Sequence, residues 1–169
     1  LATITTTLIV GSQFAGVNAL PVLRAIWNGA DIARLVPVLL AGAPFAATLL
    51  FILGVHEMGH YLVGRWCGIG VKAFSVGFGR ELLGFTDKHG TRWKFSAIPL
   101  GGYVKFLGDE NGASIPDQAG LEAMSAEERK HAFQAQPVWK RALTVAAGPF
   151  ANVLLTIALF SVFFGPYGP

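Results

Sequence analysis

The sequence has a single cysteine and few charged residues. Cys67 is the one cysteine among 169 residues, and Asp, Glu, Lys and Arg together make up 14%. One cysteine cannot form an intramolecular disulfide or a cage of several thiolates, so a metal bound here would need nitrogen and oxygen ligands. A typical soluble domain is about 25% charged. A chain with so few charges favours a protein that places part of its surface against lipid.

Charged residues and histidines are absent from two long segments, residues 35–55 and 142–164. As helices these segments would be about 31 and 34 Å long, close to the hydrocarbon thickness of a bilayer, about 30 Å. We therefore predict a membrane protein, mainly α, with two transmembrane helices over residues 35–66 and 142–164. The N-terminal segment, residues 1–34, begins with 23 uncharged residues diluted by polar ones, which leaves a third span open.

Most of the basic residues lie between the two predicted spans. Eleven of the 13 Lys and Arg residues fall within residues 65–141. The positive-inside bias predicts that this loop is cytoplasmic. Acidic residues are interspersed with the basic ones, so the basic composition does not indicate nucleic-acid binding.

The sequence pattern between the spans changes to that of a small β-rich loop. Three stretches are rich in β-branched and aromatic residues: 71–78, 81–86 and 91–98. Residues 87–90 supply turn chemistry between the last two. We predict a hairpin or meander within a membrane-associated β-loop over residues 67–106.

A polar linker is predicted over residues 107–141. The sequence of its first part, residues 107–120, predicts a loop. Ser125 and Glu128 then have the spacing of a capping box, which predicts a short interfacial helix to about Gln136. Residues 165–169 are expected to begin a downstream region that this sequence does not include.

The sequence His56-Glu57-Met58-Gly59-His60 lies at the end of the first predicted span. Residues four apart on a helix share a face, so the imidazoles of His56 and His60 can converge on one ion, and Zn²⁺ suits such a pair. Glu57 is placed to take a proton from a water that the metal acidifies. The H-E-x-x-H pattern is a general metalloprotease signature.

A zinc site normally takes a third protein ligand, and the sequence does not show one. His89 lies in a predicted turn and His131 on a polar helix, so both are expected to be exposed rather than ligating. We expect Cys67 to pack as a small hydrophobic residue rather than to bind metal. We expect the third ligand to come from beyond Pro169.

Four sequence blocks carry a resemblance to a known family: residues 56–60, 74–79, 98–106 and 147–152. In this order they resemble the site-2 protease family, specifically its bacterial regulator of sigma-E protease (RseP) branch. The resemblance covers about residues 35–164. It implies a multi-pass intramembrane zinc metalloprotease of the bacterial inner membrane that cuts transmembrane segments of anti-sigma factors and clears signal-peptide remnants.

The resemblance also implies roles for individual residues. His56 and His60 would be zinc ligands and Glu57 the catalytic base. In the family the third ligand is an Asp followed by Gly in a later membrane helix, and this chain has no Asp-Gly pair. PDZ domains that usually follow the second span are missing as well. The chain therefore resembles the N-terminal part of such a protease, unable to cleave unaided.

Further site residues follow from the same resemblance. The family's β-loop is thought to pair with the substrate backbone, which assigns substrate contacts to Gly77, Phe78, Gly79, Gly101, Gly102 and Tyr103. Glycines there equally suit turns and bulges. Gly148, Pro149 and Asn152 are assigned to support of the active site, although packing of the second span against the first explains them as well.

Two other function classes stay open at this stage. One is a non-catalytic membrane binding module that captures partner strands through the β-loop, with zinc structural or absent. The other is a transporter or metal-handling membrane protein. The transporter hypothesis leaves Glu57 and the loop blocks unexplained.

Overall fold

The computed structural model describes residues 2–111 and 115–165. Part of the predicted loop, residues 112–114, and residues 166–169 of the predicted downstream region lie outside these ranges. The helices are α1 (Ala2–Phe14), α2 (Leu20–Trp27), α3 (Leu35–Trp66), α4 (Gln118–Ala123), α5 (Ala126–Lys130) and α6 (Val138–Phe164). The strands are β1 (Val71–Thr86) and β2 (Arg92–Phe106), and 3-10 turns cover Ile32–Arg34 and Phe133–Ala135.

Two helical segments in the described part of the chain are long and apolar enough to cross a membrane. They are Ile32–Trp66 and Val138–Phe164, with mean hydropathies of 2.3 and 1.9. This confirms the two candidate membrane helices of the sequence analysis. The second begins four residues earlier than expected, because Pro137 at the N-cap starts the helix and leaves residues 139–141 in its first turn.

The N-terminal segment forms two short helices. α1 has 13 residues and α2 has 8, so at about 1.5 Å per residue neither is long enough to cross a bilayer by itself. α1 packs on α3, where the backbone of Leu8 approaches Gly42 and the rings of Phe14 and Phe45 stack 5.3 Å apart. The described residues therefore contain no third full-length span.

The β-loop is built from two long, bent strands rather than three short ones. Residues 71–76 pair antiparallel with residues 102–106, and residues 81–86 pair with residues 92–96. The bend in β2 also brings residues 92–95 alongside residues 73–76. The sequence analysis predicted the hairpin around residues 87–90 but ended the last strand at Ile98, whereas β2 continues to Phe106.

A small hydrophobic core joins the β-loop to α3. Its buried members include Ile69, Phe74 and Val104, and Tyr61 of α3 packs its ring against Phe74 and Trp93. Cys67 is 6% exposed and belongs to this core, as expected for a small hydrophobic residue. Because the core fixes β2 against α3, it holds the β-loop beside the H-E-x-x-H motif.

The linker contains more helix than expected. The capping box at Ser125 and Glu128 is present, but the helix it starts, α5, ends at Lys130, and a 3-10 turn replaces the remainder. α4 was not predicted: its N-cap is Asp117, whose side chain accepts a hydrogen bond from the backbone N–H of Gly120.

Candidate metal and catalytic site

The H-E-x-x-H motif lies in the last third of α3, where the helix places its two histidines one turn apart. His56 Nε2 and His60 Nε2 are 3.1 Å apart, and the two rings are nearly perpendicular, at 82°. Two nitrogens bound to one tetrahedral zinc at about 2.0–2.1 Å lie about 3.3–3.4 Å from each other. The spacing of the imidazoles therefore fits a shared zinc ion.

One face of α6 lies against these imidazoles. Thr144, Gly148 and Asn152 follow each other at intervals of four residues, so they share this face. The backbone carbonyl oxygen of Thr144 accepts a hydrogen bond from His60 Nδ1 at 2.8 Å. Asn152 Nδ2 lies 3.2 Å from His56 Nδ1. Each histidine thus has a polar partner on α6 at the ring nitrogen that faces away from the other histidine.

Gly148 leaves the space that the two imidazoles occupy. A methyl group on this residue would overlap His60 Nε2 and lie 2.8 Å from His56 Nε2. Gly59, which directly precedes His60 in α3, lies against the Ala147 carbonyl and the Ala151 side chain. The glycines of both helices therefore allow the close approach that the histidine contacts require.

Pro149 lies inside α6 and is exposed. Proline has no backbone N–H, so the carbonyl of Val145 loses its usual helical partner. The described contacts do not place Pro149 at the histidines. Of the three support residues named from the sequence, Gly148 and Asn152 contact the motif directly.

Glu57 is half-buried and faces β2. A methyl group built on Gly102 would lie 3.2 Å from Glu57 Cγ and 2.6 Å from the Ser75 carbonyl oxygen. The backbone N–H of Val104 lies near the Glu57 carboxylate. The C-terminal half of β2 thus forms one wall beside the carboxylate.

The other residues assigned to substrate contact lie at the bend of the β-loop. Gly77 has a φ of 90°, and a side chain there would meet the carbonyl oxygens of Ser96 and Ile98 at 2.9 and 2.8 Å. This backbone geometry supports the turn-and-bulge interpretation for Gly77. Phe78 and Tyr103 stack with centroids 6.2 Å apart, and both line, with Gly102, an open cavity of about 630 Å³.

Gly79 and Gly101 also have positive φ angles, of 83° and 153°. Gly101 lies beneath the ring of Phe78 and Gly79 beside the side chain of Ile98. These two glycines therefore serve the same bend, and their described neighbours belong to the β-loop itself.

The described residues supply no third metal ligand near His56 and His60. His89 and His131 are exposed, as expected, and His131 Nδ1 donates to the carbonyl oxygen of Gly68 at the end of α3. Cys67 lies in the hydrophobic core. Two imidazoles, a neighbouring carboxylate and cleared space fit zinc, but they form an incomplete coordination shell.

Sequence reasoning missed two contributors to the site, the Thr144 carbonyl and the Val104 N–H. Both are backbone groups: every residue carries a carbonyl and every residue except proline an N–H, so no residue type marks them in a sequence.

Comparison with known proteins gives one family and close relatives. The pattern of peptidase family M50 matches residues 44–167. A Brucella suis protein named as a candidate zinc metalloprotease is 67% identical over 125 residues, which cover 74% of this chain and 33% of that protein. The metalloprotease MmpA of Caulobacter vibrioides is 46% identical over 133 residues, covering 72% of this chain and 33% of its own length.

The chain spans about a third of the length of these relatives. Their names agree with the protease hypothesis and not with the binding-module or transporter alternatives. Because the family pattern matches far more than half of the residues, including the whole H-E-x-x-H motif, this chain belongs to peptidase family M50.

Proposed function

We propose that this chain carries the catalytic motif of an intramembrane zinc metalloprotease that hydrolyses peptide bonds in transmembrane segments of other proteins. The observation that carries the proposal is the 3.1 Å spacing of His56 Nε2 and His60 Nε2 beside the Glu57 carboxylate. The family and the names of the relatives support it. Completing the site requires a further ligand from outside the described residues.

His56 and His60 would hold the zinc through their Nε2 atoms. When bound there, the ion supplies an acidified water and an electrophile for the peptide carbonyl. Glu57 takes the proton of the water and returns it to the leaving amine. The Val104 N–H lies near the carboxylate, and the β2 wall at Gly102 limits the space around it.

We propose that the β-loop presents the substrate as an extended strand. A peptide bond within a helix is hydrogen-bonded and shielded, so a transmembrane substrate must unwind before it can be cut. Strand addition supplies backbone partners for the unwound segment. Gly102 and Tyr103 of β2 are the best placed of the assigned residues, because Gly102 lies against both Glu57 and the open cavity.

The exposed apolar surface supports placement in a bilayer. Large hydrophobic side chains are exposed on α6 and on the outer half of the sheet, including Phe163 at 66% and Leu83 at 73% exposure. Trp66 at the end of α3 and Trp139 at the start of α6 are 81% and 62% exposed. Tryptophans at such positions are typical of the membrane interface.

We propose the bacterial inner membrane as the location, with the loop over residues 65–141 cytoplasmic. The 11 basic residues of that loop support this orientation. Lys88 lies exposed in the hairpin turn, whereas the native Cys67 is buried. A Lys88→Cys variant should react with a membrane-impermeant maleimide only after the inner membrane is opened. Labelling of intact spheroplasts would show that the loop lies on the opposite side of the membrane.

Within the family we propose the regulator of sigma-E protease branch, with anti-sigma factors and signal-peptide remnants as substrates. The sequence blocks over residues 74–79 and 98–106 support this placement.

The function is tested with the natural full-length protein in detergent and a model transmembrane substrate. Glu57→Gln keeps the size of the side chain but removes the base, so we expect cleavage to fall by about 10²–10⁴-fold while bound zinc is retained. Glu81→Gln is a matched control, since Glu81 pairs with Arg92 on the exposed hairpin. Cleavage that persists in Glu57→Gln would disprove the proposed catalytic role.

A further inference from the structure

The hydrogen bonds around the two histidines form one continuous chain. A carbonyl oxygen can only accept, so His60 Nδ1 carries a proton that it donates to Thr144, and the neutral ring keeps a lone pair on Nε2. His56 Nε2, 3.1 Å away, then donates to that lone pair. His56 Nδ1 is left as an acceptor for the amide N–H of Asn152, at 3.2 Å.

This arrangement leaves one buried group without a partner. Among the described residues, Asn152 Oδ1 has no hydrogen-bond partner although the atom is buried. A buried amide oxygen left unpaired costs about 1–3 kcal/mol. In this orientation the Asn152 amide donates to His56 Nδ1 and leaves its own buried oxygen unpaired.

Zinc at the site requires a different proton arrangement. Both Nε2 atoms must offer lone pairs to one ion, so the single proton of the neutral His56 ring has to lie on Nδ1. Nδ1–H and the amide N–H of Asn152 are both donors and cannot bond each other. A half-turn of the amide puts Oδ1 at His56 Nδ1–H, which pairs the buried oxygen and resolves the conflict.

We infer that Asn152 is a positioning residue for zinc: its side-chain oxygen holds His56 Nδ1–H as the Thr144 carbonyl holds His60 Nδ1–H. One face of α6 then orients both imidazoles. Partners of this kind fix the tautomer and the ring orientation of a ligating histidine, and their loss typically weakens metal affinity about 10–100-fold. The inference rests on the proposed zinc site.

Zinc affinity of the full-length protein, measured by competition with a chelator, tests this role without using proteolysis. Asn152→Leu keeps the volume but removes the acceptor, and we expect about 10–100-fold weaker binding. Asn152→Asp keeps an acceptor at the same position and should bind zinc at least as tightly as the wild type. Thr156→Val is the control, because Thr156 donates to the Asn152 backbone carbonyl on the same helix without contacting a histidine.

The outcomes separate this inference from the proposed function. Equal affinity of Asn152→Leu and the wild type, or equal weakening by Asp and Leu, would overturn the positioning role while leaving the zinc site intact. Absence of zinc from the wild type would instead overturn the proposed function.

Imidazole ¹⁵N spectra give a second measurement, because they report which ring nitrogen of His56 carries the proton. A purely structural role of Asn152 would not affect that position. In a His89→Gln, His131→Gln background His56 and His60 are the histidines that remain in this part of the protein, and their signals are assigned by their loss in His56→Ala and in His60→Ala. With zinc bound, the single ring proton should lie on Nδ1 in both His56 and His60. A His56 ring that keeps its Nε2 proton with zinc bound would contradict the inference.

Discussion

His60 Nδ1 lies 2.8 Å from the carbonyl oxygen of Thr144, 84 positions further along the chain. This contact joins α3 to α6 at the H-E-x-x-H motif, so the orientation of the imidazole depends on the packing of the two helices. Any change that separates the helices here should disturb the site before it disturbs the remaining fold.

Gly148→Ala tests that dependence. The added methyl group overlaps His60 Nε2, so we expect the imidazoles to be displaced and zinc affinity to fall about tenfold or more. Gly54→Ala is the matched control on α3, because a methyl group there meets no atom within 4 Å. Chelator competition on both variants measures the difference. Equal zinc affinity of the two variants would show that Gly148 does not provide the space for the site.

Gly102→Ala probes the wall between β2 and the catalytic carboxylate. Its methyl group would approach Glu57 Cγ at 3.2 Å and the Ser75 carbonyl oxygen at 2.6 Å. We expect β2 to shift, so that kcat for a transmembrane substrate falls about tenfold while zinc content stays unchanged, since a small misplacement at a reacting group is costly. A variant with normal kcat would remove Gly102 from the proposed substrate edge.

The motif was the part of the site that local sequence could predict. A spacing of four residues on one helix determines that His56 and His60 share a face, whatever surrounds them. The capping box of Ser125 and Glu128 was predictable for the same reason. The contacts of Thr144 and Val104 were not, because they depend on how distant segments pack and involve backbone groups that carry no sequence signal.

The strand over residues 102–106 was missed for a related reason. It begins at Gly102, directly after Gly101, and glycine weakens the pattern by which strands are recognised. Its pairing with residues 71–76 and the packing of Val104 and Phe106 in the core stabilise it. Tertiary contacts thus stabilise this part of β2 although its local strand propensity is low.

The stability of the hairpin turn is expected to depend on pH. A hydrogen bond from the Trp93 indole, with backbone N–H groups of Thr91 and His89, lowers the pKa of Asp87 below its ordinary value. A lowered pKa means that the carboxylate stabilises the turn above the ordinary value, about 3.9, and that this contribution is lost as the pH falls through the lowered pKa.

The indole ¹⁵N–¹H resonance of Trp93 reports on this equilibrium. We expect it to stay constant from neutral pH to about pH 4 and to move only below that. Asp87→Asn should abolish the movement. A transition between about pH 5 and pH 7, or one that survives in the variant, would exclude Asp87 as its source.

Thr91→Val tests the buried hydrogen bond between the hairpin and the start of β1. The Thr91 hydroxyl is fully buried and donates to the Val71 carbonyl oxygen at 3.1 Å. Loss of this donor should lower the free energy of unfolding by about 1–3 kcal/mol, measured by denaturant titration in detergent. Thr86→Val is the exposed control, because the Thr86 hydroxyl accepts a hydrogen bond from the Arg92 side chain at 3.3 Å on the surface. A drop as large in the control would assign the effect to the loss of any threonine hydroxyl.

The zinc content of the full-length protein tests the central claim most directly, because the proposed ligands His56 and His60 can be replaced separately from His89 and His131, the other two histidines of this chain. The account predicts about one zinc per molecule in the wild type and in a His89→Ala, His131→Ala double variant, and none in a His56→Ala, His60→Ala double variant. Zinc that remains in the His56→Ala, His60→Ala protein, or that is lost with His89 and His131, would contradict it.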